Sequence, residues 1–197
     1  MGKRFFDIVA SFFGLLILLP FFIVTGLAVA LDSKGPVFFL QQRIGKEGVP
    51  FFLFKFRTMR VGSDKGNAIT VGDRDSRITR VGYYLRKFKI DELPQLINVL
   101  KGEMSFVGPR PEVKKFVDLY TPDQRKVLQV VPGMTDYASI LFRNENELLD
   151  GKSDPVLYYI EHIMPKKLQL NLEYVEKNNI WIDLKIIFKT LIVIFKK

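Results

Sequence analysis

The sequence predicts a small mixed α/β (α+β) domain that is mostly helical, with one short β-hairpin and a re-entrant membrane helix at its start. Three observations predict this class. They are an uncharged apolar stretch at residues 8–31, two aromatic runs flanking a turn at 45–48, and helical apolar spacing with proline and glycine boundaries further on. The 197 residues are enough for one ordinary domain with a buried core. We expect residues 1–32 to form the membrane helix and residues 33–197 the globular domain.

The stretch at 8–31 is long enough for a membrane helix. At about 1.5 Å per residue it extends roughly 36 Å, against about 30 Å for the hydrocarbon core of a bilayer. Pro20 lies near its middle and favours a break, which leaves two halves that are each too short to span. Lys3 and Arg4 precede the stretch and Lys34 follows it, and positive charge on both sides disfavours a simple crossing. We therefore expect a helix that bends at Pro20 and returns to the same membrane face.

Two other interpretations of this stretch stay open. One is a straight or kinked transmembrane helix, which its length alone allows. The other is a cleaved signal peptide, because residues 28–30 have the small-x-small form of a cleavage site. The stretch is long for a signal peptide, and the absence of cysteine gives no support for an exported protein.

Residues 36–59 predict a β-hairpin, because turn residues at 45–48 separate two aromatic runs. In the second run Lys55 and Arg57 alternate with Phe54 and Phe56, which predicts that both cations lie on one face of an extended segment. The alternative is an exposed basic edge strand. The following residues, 62–72, are rich in glycine, serine, aspartate and asparagine, so we expect a mobile loop that closes over a substrate.

The central segment, 89–111, carries the most informative side chains. We expect Asp91 to cap a helix that contains Pro94 in its first turn and ends at Gly102. Asp91 and Glu92 would then lie at a helix start, where a phosphate could bind if a metal ion or arginines offset the repulsion between anions. A rigid turn at 108–111 supplies an arginine next to them. The alternative is an amphipathic helix with an acidic first turn and no further role.

The last part of the chain predicts helices between residues 155 and 178, with a boundary at Pro165. Residues 180–197 predict an interfacial helix, with Asp183, Lys185 and Lys189 on the side that faces water and the anionic lipid headgroups. The alternative is a final helix that packs on the core with a polar stripe.

The composition limits which partners and which kinds of active site are possible. The net charge of +9 indicates an anionic partner, and 18 Phe, one His and long apolar stretches favour a membrane over nucleic acid, for which we find no recognition motif. With no cysteine, thiolate nucleophiles, disulfides and cysteine-rich metal sites are excluded. A carboxylate is then the expected nucleophile for phosphate chemistry, and Glu92 or Asp91 could bind Mg²⁺ together with substrate phosphates. A non-catalytic membrane adaptor and a nucleic-acid-binding protein are the competing function classes.

Several motifs in chain order resemble the bacterial sugar transferases known as monotopic phosphoglycosyl transferases. The similarity covers nearly the whole chain, including the proline-containing apolar segment at its start. The motifs are Lys-Phe-Arg-Thr-Met at 55–59, Asp-Arg-Asp-Ser-Arg-Ile-Thr-Arg-Val-Gly at 73–82, Leu-Arg at 85–86, Asp-Glu-Leu-Pro-Gln-Leu-Ile-Asn-Val-Leu-Lys-Gly-Glu-Met-Ser at 91–105, and Gly-Pro-Arg-Pro at 108–111.

The resemblance implies a Mg²⁺-dependent transfer of sugar-1-phosphate from a nucleoside diphosphate sugar, with uridine expected, to polyprenyl (undecaprenyl) phosphate. This would initiate assembly of a capsule, O-antigen, exopolysaccharide or glycoprotein glycan at the cytoplasmic face of the bacterial inner membrane.

The resemblance also implies residue roles. Asp91 is the nucleophile that carries a covalent phosphosugar, Glu92 binds Mg²⁺ and orients the phosphate, and Pro20 breaks the re-entrant helix. The positions implied to bind substrate are Lys55, Arg86, Arg110, Pro111 and Arg143. Two departures stand out: Leu19 precedes Pro20 where many members have serine, and Asp136 replaces a glycine, which changes backbone freedom and charge.

Overall fold

A computed structural model describes residues 2–63 and 75–195. The predicted loop at 62–72 lies almost entirely outside these residues, as do positions 73 and 74 and the last two lysines. The elements are α1 (Gly2–Asp32), β1 (Phe38–Ile44), β2 (Pro50–Phe56), α2 (Arg80–Lys87), α3 (Leu96–Lys101), β3 (Ser105–Val107), α4 (Lys114–Val117), β4 (Gly133–Thr135), α5 (Tyr137–Leu141), α6 (Glu145–Leu149), α7 (Pro155–Tyr158), α8 (Met164–Lys177) and α9 (Ile180–Phe195). Short 3₁₀ turns lie at Lys46–Gly48, Ile90–Gln95 and Gln124–Gln129, and a π-helical turn lies at Tyr159–Ile163.

The predicted mixed fold class is confirmed. Strands β1 and β2 form an antiparallel hairpin in which Leu40 pairs with Phe54. Strands β3 and β4 form a short parallel pair. Most other described residues are helical, and the predicted boundary at Pro165 falls in the first turn of α8.

Helix α1 runs from Gly2 to Asp32 with Pro20 inside it. An interior proline removes one backbone hydrogen bond and favours a kink, but the helix can continue on both sides of it. The middle of α1 packs on the globular part, where the ring centroid of Phe22 lies 5.5 Å from that of Phe56.

The start of α1 is fixed to the globular part by two cations. The Lys3 ammonium donates to the backbone carbonyl of Val107 at 2.9 Å and forms an ion pair with Asp183 of α9. Arg4 donates to the carbonyl of Val99 at 2.6 Å. The Val99 carbonyl also accepts from the Gly102 N–H at 3.0 Å, and Arg4 donates to the Leu100 carbonyl as well, at 2.8 Å. Arg4 therefore adds donors to the carbonyls at the end of α3.

The other end of α1 is held in the same way by Arg57. This side chain is 4% exposed and donates to the carbonyls of Val29 and Ser33 at 3.2 and 2.5 Å. Arg57 directly follows β2, and its guanidinium is engaged by the carbonyls at the end of α1, while Lys55 pairs with Glu92. Both ends of α1 thus contact the same globular part.

The outer face of α1 is apolar and exposed. Ile17 and Leu31 expose 75% and 87% of their surface. Among the described residues α1 is the one helix that is long and apolar enough to cross a membrane. An exposed apolar face of this length indicates an interface with lipid or with another protein.

Helix α9 also presents apolar residues outward, but its polar stripe differs from the prediction. Asp183 is buried, where it accepts a hydrogen bond from the Tyr174 hydroxyl at 2.7 Å and pairs with Lys3. Trp181, on the outer side, is 78% exposed. The prediction that Asp183 faces water is wrong, because the carboxylate is needed inside to neutralise Lys3.

Candidate active site

The Asp91 and Glu92 pair lies in the 3₁₀ turn at Ile90–Gln95, and α3 begins only at Leu96. The prediction that Asp91 is a helix N-cap is therefore wrong. The tight turn is built around Pro94, which has no N–H to donate and fits before a helix start. Gly102 ends α3 with a φ of 89°, as predicted.

Asn98 fixes this turn to the hairpin and was missed by sequence reasoning. It is fully buried, its amide donates to the Phe52 carbonyl at 2.7 Å, and its carbonyl oxygen accepts from the Phe54 N–H at 3.0 Å. A buried amide that is fully hydrogen-bonded specifies one register between α3 and β2. This places Lys55 of β2 beside Glu92. The signal in the sequence was an asparagine on an otherwise apolar helix face.

Glu92 holds two cations at once. Its Oε1 atom accepts from the Lys55 ammonium at 3.1 Å and from the Arg110 guanidinium. Burial alone would raise the pKa of Glu92, but Arg110 and Lys55 outweigh it and hold that pKa well below its ordinary value. Burial lowers the pKa of Lys55, and Glu92 opposes that shift. Glu92 is therefore an ionised clamp that positions both cations.

Arg110 is carried by a segment that packs very closely on β4. A Cβ atom added to Gly133 would lie 2.1 Å from the Gly108 backbone nitrogen, so only glycine fits there. The side chain of Arg110 donates to the Met134 carbonyl at 3.1 Å, and its backbone N–H donates to Asp136 Oδ2 at 3.0 Å. These contacts fix the direction of the guanidinium.

Asp136, the departure noted in the sequence, is fully buried under this segment. Besides Arg110 it accepts a hydrogen bond from the Ser139 N–H and caps α5. A buried carboxylate needs such partners. Its position below Arg110 shows that it supports this residue from inside the fold, which sequence reasoning did not foresee.

Asp91 is 7% exposed, and its Oδ1 atom has no hydrogen-bond partner among the described residues. Burial raises the pKa of Asp91, and the negative charge of Glu92 raises it further. Two adjacent carboxylates therefore have different environments. One is strongly held by cations, and the other is buried with an unpaired oxygen, an unfavourable arrangement that is typical of functional sites.

A cleft of about 630 Å³ brings together most of the predicted site residues. Asp91 and Glu92 lie in its wall, and its basic lining includes Lys55, Arg86, Arg110 and Arg143. The guanidinium of Arg143 also donates to the Val193 carbonyl of α9. The volume is ordinary for a small-molecule site.

Pro111 is the one predicted substrate-binding residue that the cleft does not include. It is buried behind the turn, and its carbonyl accepts from Arg43 at 3.2 Å. Arg43 also pairs with Glu112 at 3.2 Å, and Glu112 accepts from the Tyr159 hydroxyl at 2.6 Å. This buried network ties β1 and the π-helical turn to the segment that carries Arg110.

The described residues contain no group of three or more histidine or acidic side chains that could hold a metal ion. Magnesium does not require such a group, because it binds through one or two carboxylates and completes its shell with water and substrate phosphates. The Asp91 carboxylate, which lines the cleft, fits one such position. The Oε1 atom of Glu92 is already engaged by two cations.

Comparison with known proteins identifies relatives that match nearly the whole of this chain. A family model described as bacterial sugar transferase matches residues 1–197. A UDP-N-acetylgalactosamine-undecaprenyl-phosphate N-acetylgalactosaminephosphotransferase of Aeromonas hydrophila is 36% identical over 194 residues, which is 96% of this chain.

Two further relatives are named UDP-glucose:undecaprenyl-phosphate glucose-1-phosphate transferase. The protein of Caulobacter vibrioides is 36% identical over 96% of this chain, and the protein of Escherichia coli is 37% identical over 95%. The chain spans 42% of the Aeromonas protein, 68% of the Caulobacter protein and 39% of the Escherichia protein.

Proposed function

Since the chain belongs to the bacterial sugar transferase family, we propose that it transfers a sugar-1-phosphate from a UDP-sugar to undecaprenyl phosphate and releases UMP. The names of its relatives support these substrates. The observation that carries the proposal is the pair of carboxylates in a basic cleft, with one oxygen of Asp91 unpartnered and Glu92 held by two cations. A product of this type initiates glycan assembly.

The reaction proceeds in two steps through Asp91. In the first step a carboxylate oxygen attacks the phosphorus that bears the sugar, the bond from phosphorus to the UMP oxygen breaks, and UMP leaves with the electron pair. In the second step an oxygen of the lipid phosphate attacks the same phosphorus, and the Asp91 carboxylate leaves. No net proton transfer is needed, because an aspartate anion is both consumed and returned.

Asp91 and the charged residues around it have different electrostatic roles in this mechanism. The raised pKa of Asp91 makes its carboxylate a stronger base and therefore a better nucleophile once it is ionised. Lys55, Arg86 and Arg110 line the cleft and bind the phosphate oxygens, which stabilises the charge that builds up there. Glu92 keeps two of these cations in place.

Magnesium is included in this proposal as the cofactor. Asp91 would hold it through a carboxylate oxygen in the cleft together with phosphate oxygens of the substrate. When bound, Mg²⁺ neutralises phosphate charge and polarises the phosphorus–oxygen bonds. Glu92 has weaker support as a second ligand, because its Oε1 atom already accepts from Lys55 and Arg110.

We further propose that α1, residues 1–32, enters the membrane and returns, so that residues 33–197 form a catalytic domain at the cytoplasmic face of the inner membrane. Support comes from Lys3 at one end of α1 and Ser33 just after the other end, since both contact the globular part. The exposed apolar face of α1 and the outer face of α9 supply the surface that the bilayer would cover.

Single-cysteine labelling tests this topology, and the chain suits it because it contains no cysteine. Gly2→Cys, near the start of α1, and Lys126→Cys, in the globular part, are expected to react with a membrane-impermeant maleimide in inverted vesicles and to be protected in spheroplasts. Ile17→Cys, on the exposed apolar face of α1, serves as the matched position that the lipid is expected to cover, and it should be protected in both inverted vesicles and spheroplasts. Labelling of residues 2 and 126 from opposite sides would show that α1 crosses the membrane.

A panel of nucleotide sugars tests the activity. Purified protein with undecaprenyl phosphate and Mg²⁺ is expected to release UMP from one or a few UDP-sugars, and the product is expected to extract with the lipid. A membrane adaptor would bind vesicles without releasing nucleotide from any member of the panel. That outcome would contradict the proposal.

A further inference from the structure

The cations that line the cleft differ in whether their charge is already neutralised. Lys55 and Arg110 pair with Glu92, and Arg57 is committed to the carbonyls at the end of α1. Arg86 and Lys89 have no carboxylate within ion-pair distance among the described residues. A donor and an acceptor that both carry phosphate need such uncommitted charge.

Lys89 stands out among them because its backbone is strained. Its φ of 57° and ψ of 20° are left-handed, and only Glu47 shares a positive φ among the described non-glycine residues. Such conformations favour glycine or asparagine, and a lysine there is unfavourable unless the surroundings hold it. The residue is exposed, lines the cleft two positions before Asp91, and acts electrostatically on Asp91 and Glu92.

The position of Lys89 relates the cleft to the apolar surface. It follows α2, whose Tyr84 is 61% exposed and which is followed by the exposed ring of Phe88. The N–H of Val81 in α2 donates to Asp32 at the end of α1 at 2.9 Å. Exposed aromatic residues beside an apolar helix are typical of a membrane interface. Lys89 thus lies on the side of the cleft next to α2, its exposed aromatic rings and the end of α1.

We propose that Lys89 binds the phosphate monoester of the lipid acceptor and holds it for attack on the phosphosugar. This inference rests on the proposed function, since it concerns its second step. There the phosphate dianion of the lipid forms a new phosphorus–oxygen bond, the bond from phosphorus to Asp91 breaks, and the carboxylate leaves with the electron pair. The total charge of three negative units is the same before and after, and the Lys89 ammonium stays protonated.

The test separates the two half-reactions. Lys89→Met removes the charge and keeps most of the stem, and Lys89→Gly removes the side chain where glycine accepts the backbone conformation without strain. The UMP burst from UDP-sugar without lipid is expected to stay within about twofold of wild type. The KM for undecaprenyl phosphate in the complete reaction is expected to rise about tenfold or more, the effect of losing one charge-assisted hydrogen bond.

Two variants serve as matched controls. Glu47→Gly changes a second non-glycine residue with a positive φ, which is not among the residues that line the cleft. Lys126→Met removes an exposed lysine that pairs with Asp123 away from the cleft. Neither is expected to change the KM for the lipid. Binding of the Lys89 variants to vesicles of phosphatidylglycerol is expected to match wild type.

Any of the following results would show that Lys89 does not bind the lipid phosphate as proposed, and each has a different cause. A UMP burst that falls as much as overall turnover would show that Lys89 acts on the UDP-sugar in the first step. An unchanged KM for lipid would remove it from acceptor binding, and a parallel loss of vesicle binding would assign it to bulk lipid headgroups. Wild-type protein that gives no burst at all would instead overturn the covalent mechanism on which the inference rests.

Discussion

Replacing Asp91 with asparagine is expected to lower UMP release by at least about a thousandfold. The amide keeps the size of the side chain but cannot attack phosphorus, and loss of a nucleophile has effects of this order or larger. The measurement is single-turnover UMP release from a UDP-sugar, with and without undecaprenyl phosphate. The rates of UMP release with and without the lipid are expected to fall together, because the first step precedes any involvement of the lipid.

The fold is expected to tolerate this change. Burial raises the pKa of Asp91, so the ionised carboxylate is unfavourable there and contributes less to stability as the pH rises through that pKa. A neutral amide removes this penalty, and we expect the Asp91→Asn variant to unfold at the same temperature as wild type or slightly above it at neutral pH. Asp118→Asn, at an exposed position paired with Lys114, is the matched control and is expected to retain turnover. Normal turnover by Asp91→Asn would exclude the covalent mechanism.

Replacing Glu92 with glutamine is expected to reduce both turnover and stability. The change leaves Lys55 and Arg110 without their shared counter-charge, and removing one partner of a buried ion pair costs roughly 3–5 kcal/mol. These side chains are 17–29% exposed, so solvent screening reduces the expected loss to about 2 kcal/mol. We expect turnover to fall about a hundredfold, because both cations that we propose bind phosphate lose their position.

The pH dependence gives this prediction a second readout. In wild type the lowered pKa of Glu92 contributes stability that is present above its unfolded pKa and is lost as pH falls through the folded pKa. That acid-dependent loss should be absent in Glu92→Gln. The negative charge of Glu92 also raises the pKa of Asp91, so the acid limb of the rate profile should move to lower pH. Glu176→Gln, on the exposed side of α8, is the control; an unshifted acid limb in Glu92→Gln would argue against the coupling.

The features that local sequence predicts well are those set by short-range chemistry. Alternating aromatic residues with a turn between them specify the hairpin, and Gly102 and Pro165 mark helix boundaries because their backbone preferences act locally. The cluster of Lys55, Glu92 and Arg110 followed from the family resemblance, and the structure brings these residues together.

The features that sequence could not predict depend on partners far away in the chain. Arg57 is buried because the carbonyls at the end of α1 need donors, and Asp183 is buried because Lys3 needs a counter-charge. Asp136 gains its role only when β4 packs on the segment that carries Arg110. No local pattern encodes such contacts, since each is set by which unsatisfied group the fold brings near.

In the proposed mechanism Asp91 carries the phosphosugar between the two substrates. Intact-protein mass spectrometry of wild type incubated with UDP-sugar and Mg²⁺, without lipid, tests it most directly. We expect a mass increase equal to one sugar phosphate, located by peptide mapping on Asp91 and lost on addition of undecaprenyl phosphate. If the protein gains no mass and releases UMP only when the lipid is also present, no covalent phosphosugar forms on Asp91 and the two-step mechanism is wrong.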